Sequence, residues 1–471
     1  MKKEMRMETD SIGTMEVPKE AYYGVQALRA KQNFPISGMF LNSVFIENLA
    51  KVKKAAAITN RKINWLDGKK AEAIIKACEE VIDGKFNEEF IVDAIQGGAG
   101  TSANMNMNEV IANRANEFLG GTKGSYSKVH PNDHVNMCQS TNDVIPTAGK
   151  LTVIHLAKEL IGELEKLEKE LLNKSQEFDD VLKMGRTQLQ DAVPMRVGQT
   201  FHAYAAMISR DIKRIKSSMA EMYTLNLGGT AIGSGVNADS GYIVNIVPCL
   251  GKITGYPLTQ AEDLFDATQN LDGFVMVSGV LKACAVNLSK MCNDLRLLSS
   301  GPKTGIGELH LPERQNGSSI MPGKINPVIQ EVVNQVAFHV IGHDNTITLA
   351  AEAGQMELNA FEPIVFYNLF ESLSMLKQAV NTLTNNCIKG IKVNKERCYN
   401  MVNESAGIAT VLCPYIGYAK SAKVVKTALK TGKSVRAIVL EKGIMSEKAL
   451  ERALDPYSAT QWKEVGQKSI S

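Results

Sequence analysis

From Lys150 to Phe178 the chain reads KLTVIHLAKELIGELEKLEKELLNKSQEF, with apolar residues at every seventh position in two interleaved series: Val153, Leu160, Leu167 and Ala157, Leu164, Leu171, Phe178. So narrow a seam fits a helix packed against a partner helix. Glu163 with Lys166 and Glu165 with Lys169 stand at helix-surface spacing and keep the outer face solvated. Helix-length segments follow from Val197 to about Leu225, Ala261 to about Leu298, Pro327 to about Ala353, and Asn359 to about Ile388. Within the second of these, FVMVSGVLKACAVNL is apolar on nearly every face, which a helix tolerates when other helices surround it. Five helices of roughly 40 Å each, at 1.5 Å per residue, are too long and too apolar for one compact monomer. A bundle shared between subunits is the expected solution.

The pattern divides the chain into three expected domains. Residues 1–141 mix short helices with Gly-rich turns, residues 142–396 form a five-helix bundle, and residues 397–471 hold shorter helices split by Cys413-Pro414 and Gly432. Strand signals are few; Tyr242 to Pro248 fits either a short strand or a helix start. The Lys-spaced run from Lys420 to Lys433 reads as a solvated helix face. Composition changes this picture little. With 44% apolar and 22% charged residues the chain is ordinary globular protein, and 53 basic against 50 acidic side chains leave a net charge of +3. That balance argues against a nucleic-acid or membrane-surface partner. The cysteines (Cys78, Cys138, Cys249, Cys284, Cys292, Cys387, Cys398 and Cys413) form no CxxC pair, and no His stands at zinc-ligand spacing beside them. Free thiols in a reducing compartment are expected. MKKEMRMETDSIG has no apolar signal region and no later stretch is an uninterrupted apolar span, so the expected location is the cytoplasm.

Four polar runs carry candidate chemistry. GGAGTSANMNMNEV, Gly97 to Val110, is Gly-rich, yet it lacks the lysine of a phosphate loop. GSGVNA, Gly233 to Ala238, matches a dinucleotide pattern by letters alone. The second run ends in Ser140, Thr141, Asn142 and Asp143 just before Pro146. One such residue is enough to cap a helix, and four leave surplus donors where an anion is welcome. MGRTQLQDAVPMRVGQ, Met184 to Gln199, sets Thr187 and Gln188 in a polar turn before the next helix. GSSIMPGKINP, Gly317 to Pro327, joins a Gly-rich loop bearing Ser318 and Ser319 to Lys324 and Asn326 at a helix entrance. It has no GxSxG elbow to support a hydrolase. Taken alone, that run fits a cap, a nucleophile or a carboxylate site. Together the runs offer hydroxyls, amides, one lysine and helix N-termini without a metal cluster or cofactor motif, a set suited to a small dicarboxylate.

GSSIMPGKINP resembles the signature of the fumarase and aspartase superfamily, and the other runs match its remaining blocks in order over essentially the whole chain. The resemblance implies a mainly α, three-domain fold whose central bundles merge into a 20-helix core in a homotetramer. Within the superfamily, GTMEVPKEAYYGVQALRAKQNFPISG, MGRTQLQDAVP, GGTAIGSGVNA and AGQMELNAFEP look most like the aspartate ammonia-lyases. Fumarases carry His where this chain has Gln188 and typically lack the Tyr-Tyr-Gly of Tyr22 to Gly24. Glu331 resembles the acid that orients that histidine, and it stands here without its partner.

The chemistry so implied is the reversible anti-elimination of ammonia from L-aspartate to fumarate through an aci-carboxylate. Thr101, Ser140, Thr141 and Ser319 match positions around the reacting carboxylate. Lys324 and Asn326 match those holding the other carboxylate, and Asn142, Thr187 and Gln188 lie where the amino group binds. Ser318 matches the general base. The family's sites are assembled from three subunits: one supplies Thr101 and Ser140 to Asn142, another Thr187 and Gln188, a third the Ser318 loop. No cofactor is implied; some relatives are activated by a divalent cation such as magnesium at a separate site. The alternatives are a fumarate hydratase, a lyase for another aspartate derivative and, from another class, a crystallin-like structural protein.

Overall fold

The computed structural model describes residues 4–460; the outermost residues of the first and third expected domains, 1–3 and 461–471, lie outside the described residues. Strands are short and occur in pairs: β1 (Met5–Thr9) with β2 (Thr14–Pro18), and β3 (Leu182–Thr187) with β4 (Gln190–Arg196), both antiparallel. Two further pairs, Thr224–Leu225 with Thr259–Gln260 and Leu309–His310 with Lys392–Val393, are two residues deep. The remaining regular structure is helical, as the periodicity predicts. Helices α1 (Val25–Asn33), α2 (Ser43–Lys62), α3 (Gly68–Ile82) and α4 (Thr101–Phe118) precede the long α5 (Thr141–Glu177) and α6 (Val197–Ser218). Then come α7 (Ser240–Thr254), α8 (Leu264–Gln269), α9 (Asp272–Leu298), α10 (Val328–Glu352) and α11 (Glu362–Asn386), with shorter helices beyond Lys395.

Every residue of both heptad series in α5 is buried. The long helices meet through specific contacts. A side chain at Gly149 of α5 would overlap the Phe366 ring of α11, and Asn381 of α11 donates to Glu163 of α5 at 2.9 Å. Ser278 and Lys282 of α9 donate to Asp344 of α10 at 2.8 and 2.5 Å, and Asn287 of α9 donates to Asp211 of α6 at 2.9 Å. By length and mean hydropathy α9 could cross a bilayer. Its central Lys282 and Asn287 are instead partnered by carboxylates, and part of its apolar face, including Phe274, Val277, Leu281 and Leu288, is buried.

The expected helix from Ala261 to Leu298 is broken. Asn270 is extended at φ −103° and ψ 137°, after α8. Asp263 caps α8 by accepting from Phe265 and Asp266 N–H, and Leu271 carbonyl opens α9 by accepting from Phe274 and Val275. Apolar periodicity runs through both helices and hides the joint. Tyr242–Pro248 lies inside helix α7, capped by Asp239. The Lys420–Lys433 segment is the helix Tyr418–Thr431 with its last two residues beyond, burying Val424 and Ala428 among mostly exposed lysines.

The chain divides into two compact units, each drawn from three segments: Met1–Ile161, Lys213–Ala285 and Phe338–Leu376; and Gly162–Ile212, Val286–Ala337 and Lys377–Ser471. The boundaries fall within long helices, so each unit takes part of the bundle. The second unit also contains an apolar cluster in which Met184 of β3 packs with Val402, Leu412, Val439 and Leu450.

Candidate active site

Helix α4 opens the site in the first unit. Gly100, at φ 87°, precedes it, and a Cβ there would come within 2.8 Å of Ile145 Cγ2 on α5. Glycine therefore does two things here: it turns the chain left-handed and lets the starts of α4 and α5 abut. Thr101, the first residue of α4, is exposed and its hydroxyl donates to Gly98 carbonyl at 2.7 Å. The asparagines that look odd for a phosphate loop line this buried helix and serve neighbouring loops. Asn106 accepts from Ile91 N–H and donates to Glu89 carbonyl, and Asn116 accepts from Lys128 and Val129 N–H.

At α5 the polar run splits its duties. Ser140 Oγ accepts from Asn142 N–H at 3.2 Å, and Asp143 Oδ1 accepts from Ser140 N–H at 3.0 Å, a reciprocal capping box. Asp143 Oδ2 accepts from Gly228 and Thr230 N–H, both at 3.1 Å. Asn142 Nδ2 donates to Ala231 carbonyl at 2.7 Å. The GGTAIGSGVNA block is thus a turn folded around the start of α5. Pro146 lies inside the helix and cannot donate to Asn142 carbonyl. Asn226 Nδ2 takes that carbonyl at 2.9 Å. The capping box extends the helix five residues upstream of Pro146 and leaves the Thr141 side chain outside the cap.

Within and behind the run lie buried charges, of which the sequence singles out Asp143 but not Lys53. Asp143 is fully buried; burial pushes its carboxyl up to about 6, against the pull of its three N–H donors and Lys53. Burial likewise brings the Lys53 ammonium down to about 7, opposed by Asp143. Lys53 donates to Asn136 Oδ1 at 2.9 Å and Gln139 Oε1 at 3.0 Å. The only signal for these groups was Asp143 at the third place after Ser140, the spacing of a capping box.

In the second unit, Thr187 ends β3 and pairs with Gln190 across a two-residue turn made by Gln188 and Leu189, at φ 56° and 62°. Both central residues of such a turn prefer glycine or asparagine. Holding other residues left-handed costs on the order of 1 kcal/mol each, and strain of this kind concentrates at functional sites. Below the tip, Glu308, fully buried, pairs with Arg186 at 2.8 Å and Lys183 at 3.2 Å, and Asp191 accepts from Ser405 Oγ at 2.7 Å. The polar turn is an anchored hairpin that presents exposed Thr187 and Gln188.

Also in the second unit, residues 317–326 form a loop pinched at its base. Gly317 N–H donates to Lys324 carbonyl at 2.9 Å, and Asn326 Nδ2 donates to Gly317 carbonyl at 2.7 Å. A side chain at Gly317 would overlap Lys324 carbonyl. Ser318 Oγ accepts from Ile320 N–H at 3.2 Å and Met321 N–H at 3.1 Å. Ser319 and Lys324 are exposed. Glu331, in the first turn of α10, is 3.7 Å from Arg296. Among the described residues no group of three or more His, Cys, Asp or Glu side chains is placed to hold a metal ion.

The expected residues therefore fall into separately built groups: Thr101 and Ser140–Asn142 in the first unit, the Thr187–Gln188 tip and the Ser318–Asn326 loop in the second. The family described as Lyase matches residues 13–342, and that described as Fumarase C C-terminus matches residues 408–461. Aspartate ammonia-lyase of Bacillus sp is 51% identical over 460 residues, 98% of each chain. That of Escherichia coli (strain K12) is 49% identical over 96% of this chain and 95% of its own. Among solved structures, fumarate lyase:delta crystallin from Brucella melitensis bound to cobalt superposes with a TM-score of 0.94 at 48% identity, covering 96% of this chain and 99% of that one. Recombinant class II fumarase from Schistosoma mansoni gives 0.91 at 36% identity, covering 96% and 98%.

Proposed function

The chain belongs to the lyase family that unites fumarases and aspartate ammonia-lyases, and on that premise we propose how it acts as a carbon–nitrogen lyase eliminating ammonia from L-aspartate to give fumarate. The observation that carries the activity is identity of about half over nearly the whole chain with aspartate ammonia-lyases. Ser318 removes the proton from the carbon beside the side-chain carboxylate. Its two backbone donors are what an alkoxide there needs. Thr101, Ser140 and Thr141, at helix N-termini where negative charge is favoured, and Ser319 from the 317–326 loop hold the resulting aci-carboxylate. Lys324 and Asn326 hold the other carboxylate.

Asn142 spends its amino group on Ala231 carbonyl, which leaves its oxygen to accept from the substrate ammonium. Thr187 and Gln188 complete that pocket. A hydratase reading is weakened by Gln188, since a carboxamide cannot move a proton as an imidazole does. A crystallin-like role without catalysis predicts decay of these residues, and all are present.

The complete site takes its groups from three subunits of a homotetramer. Exposed Met276 and Val286 on α9 and Phe338 and Leu349 on α10 support an assembly that covers these helix faces. No disulfide joins the described cysteines, in keeping with a reducing, cytoplasmic setting. The chemistry calls on protein groups without a cofactor, and any divalent cation that activates the enzyme acts from a separate site. Following ultraviolet absorbance of fumarate with L-aspartate and L-malate supplied separately tests the proposal. Product from aspartate is expected; turnover of malate without aspartate refutes it.

A further inference from the structure

We propose that Asn104, on the first turn of α4, is a positioning residue that fixes the direction of the Thr141 hydroxyl through a buried hydrogen-bond relay. The relay rests on the reading that Thr141 binds the substrate carboxylate. Its root is Asn136, whose Oδ1 accepts from Lys53 Nζ at 2.9 Å, Asn108 Nδ2 at 3.2 Å and Asn104 Nδ2 at 3.3 Å. Asn136 Nδ2 donates to Gln139 carbonyl at 3.2 Å. The Gln139 carbonyl only accepts, so the atom of Asn136 that faces it must be the amino group, which leaves the oxygen toward Lys53. That oxygen in turn dictates that Asn104 faces it with its amino group, and the same amino group reaches Thr141 Oγ1 at 3.1 Å.

An amide orientation is ordinarily assigned from such networks, and here the Gln139 carbonyl leaves one solution. The direction propagates outward. Because Thr141 Oγ1 accepts from Asn104, its own proton points elsewhere, and among the described residues no acceptor takes it. A hydroxyl at the start of α5 is thereby held as a donor before any ligand arrives, the condition for stabilising an oxyanion without reorganisation. Asn104 Oδ1 is buried and unpartnered. A buried carbonyl left in that state costs stability, so the amino group is what the chain retains.

A kinetic double-mutant cycle tests the relay. Asn104→Asp keeps the shape but presents acceptors only, so the Thr141 proton turns back toward residue 104. The variant is expected to lower kcat for aspartate about 10- to 100-fold with KM changed less than about 3-fold. In the Thr141→Val background the same change is expected to cost less than about 2-fold, because the hydroxyl it acts through is absent. Equal losses in both backgrounds overturn the relay while leaving Thr141 on the carboxylate. Thr141→Val within about 2-fold of wild type instead refutes the carboxylate reading, and the relay with it. If Asn104→Asp does not fold, Asn104→Leu takes its place in the cycle, with a loss of about 3- to 10-fold expected only where Thr141 is present.

Discussion

Replacing Ser318 with alanine leaves the Ile320 and Met321 N–H groups aimed at nothing, at a half-buried position on an exposed loop. Each preorganised donor to an oxyanion is worth about 3 kcal/mol, so two supply about 6 kcal/mol. At 1.36 kcal/mol per unit, that lowers an alkoxide's pKa by about 4. A serine hydroxyl ionises far above neutral pH, and these two donors alone do not bring it there. The remaining units must come from the Lys324 charge and from exclusion of water when the loop closes over substrate. A general base contributes about 10²- to 10⁴-fold, so Ser318→Ala is expected to lower kcat at least about 10³-fold. The melting temperature should shift by less than about 2 °C, as for other surface substitutions. Ser318→Cys supplies a group that begins near 8.5 and meets the same two donors. It should keep a small activity whose acid limb lies at lower pH than that of wild type. Steady-state rates from aspartate, measured by fumarate absorbance from pH 5 to 9, check both outcomes. Ser318→Ala retaining a tenth of wild-type kcat, or Ser318→Cys sharing the wild-type acid limb, refutes the base assignment.

Asn226→Ala strips the donor from Asn142 carbonyl and should cost about 1–3 kcal/mol in urea unfolding. Adding Pro146→Ala restores a helical N–H to that carbonyl and should recover about 1 kcal/mol; strictly additive losses would show that the two are uncoupled. Glu109 accepts from Gly24, Gln26 and Ala27 N–H at the start of α1, and burial raises its carboxyl to about 7 from 4.5 despite those donors. Because its folded pKa is the higher one, the folded state binds the proton more tightly. Stability from this group is complete below the unfolded pKa and is lost as pH rises toward 7, by up to about 3 kcal/mol. The stability of wild type relative to Glu109→Gln should therefore fall between pH 5 and 7, and a constant difference in unfolding midpoints contradicts the shift.

The bundle was legible because burying a long helix imposes a period on its sequence, and each seam residue of α5 is buried as that period requires. The α8–α9 break was not, because Asn270 interrupts the backbone while apolar residues on either side keep the rhythm. The hydroxyls and amides of the proposed site stand out as surplus polar residues at helix starts and in turns. What escaped was the layer beneath. Lys53, on α2, and Asn136, after the Pro131–Val135 turn, belong to separate stretches of chain, and their meeting depends on how those stretches pack, which a linear pattern does not encode. Nor did MGRTQLQDAVP declare strain: Gln188 and Leu189 carry none of the Gly or Asn that usually marks a left-handed turn.

That absence bears on how the site is built. A turn evolving for stability alone would place glycine at residue 188, because glycine adopts positive φ without steric cost. The chain instead keeps a long carboxamide there and braces the hairpin below it with the Glu308 ion pairs and the Asp191–Ser405 hydrogen bond. The same division of labour recurs at α5, where Asp143 and the backbone of Ser140 satisfy the helix start and the Thr141 side chain stays outside the cap. It recurs at the 317–326 loop, where Asn326 and Gly317 close the base and Lys324 stays exposed. In each group some residues only complete the fold and others are only left for the proposed ligand, while Ser140, Asn142 and Asn326 do both. Substitutions in the first set should therefore register chiefly in unfolding, and those in the second chiefly in kcat and KM.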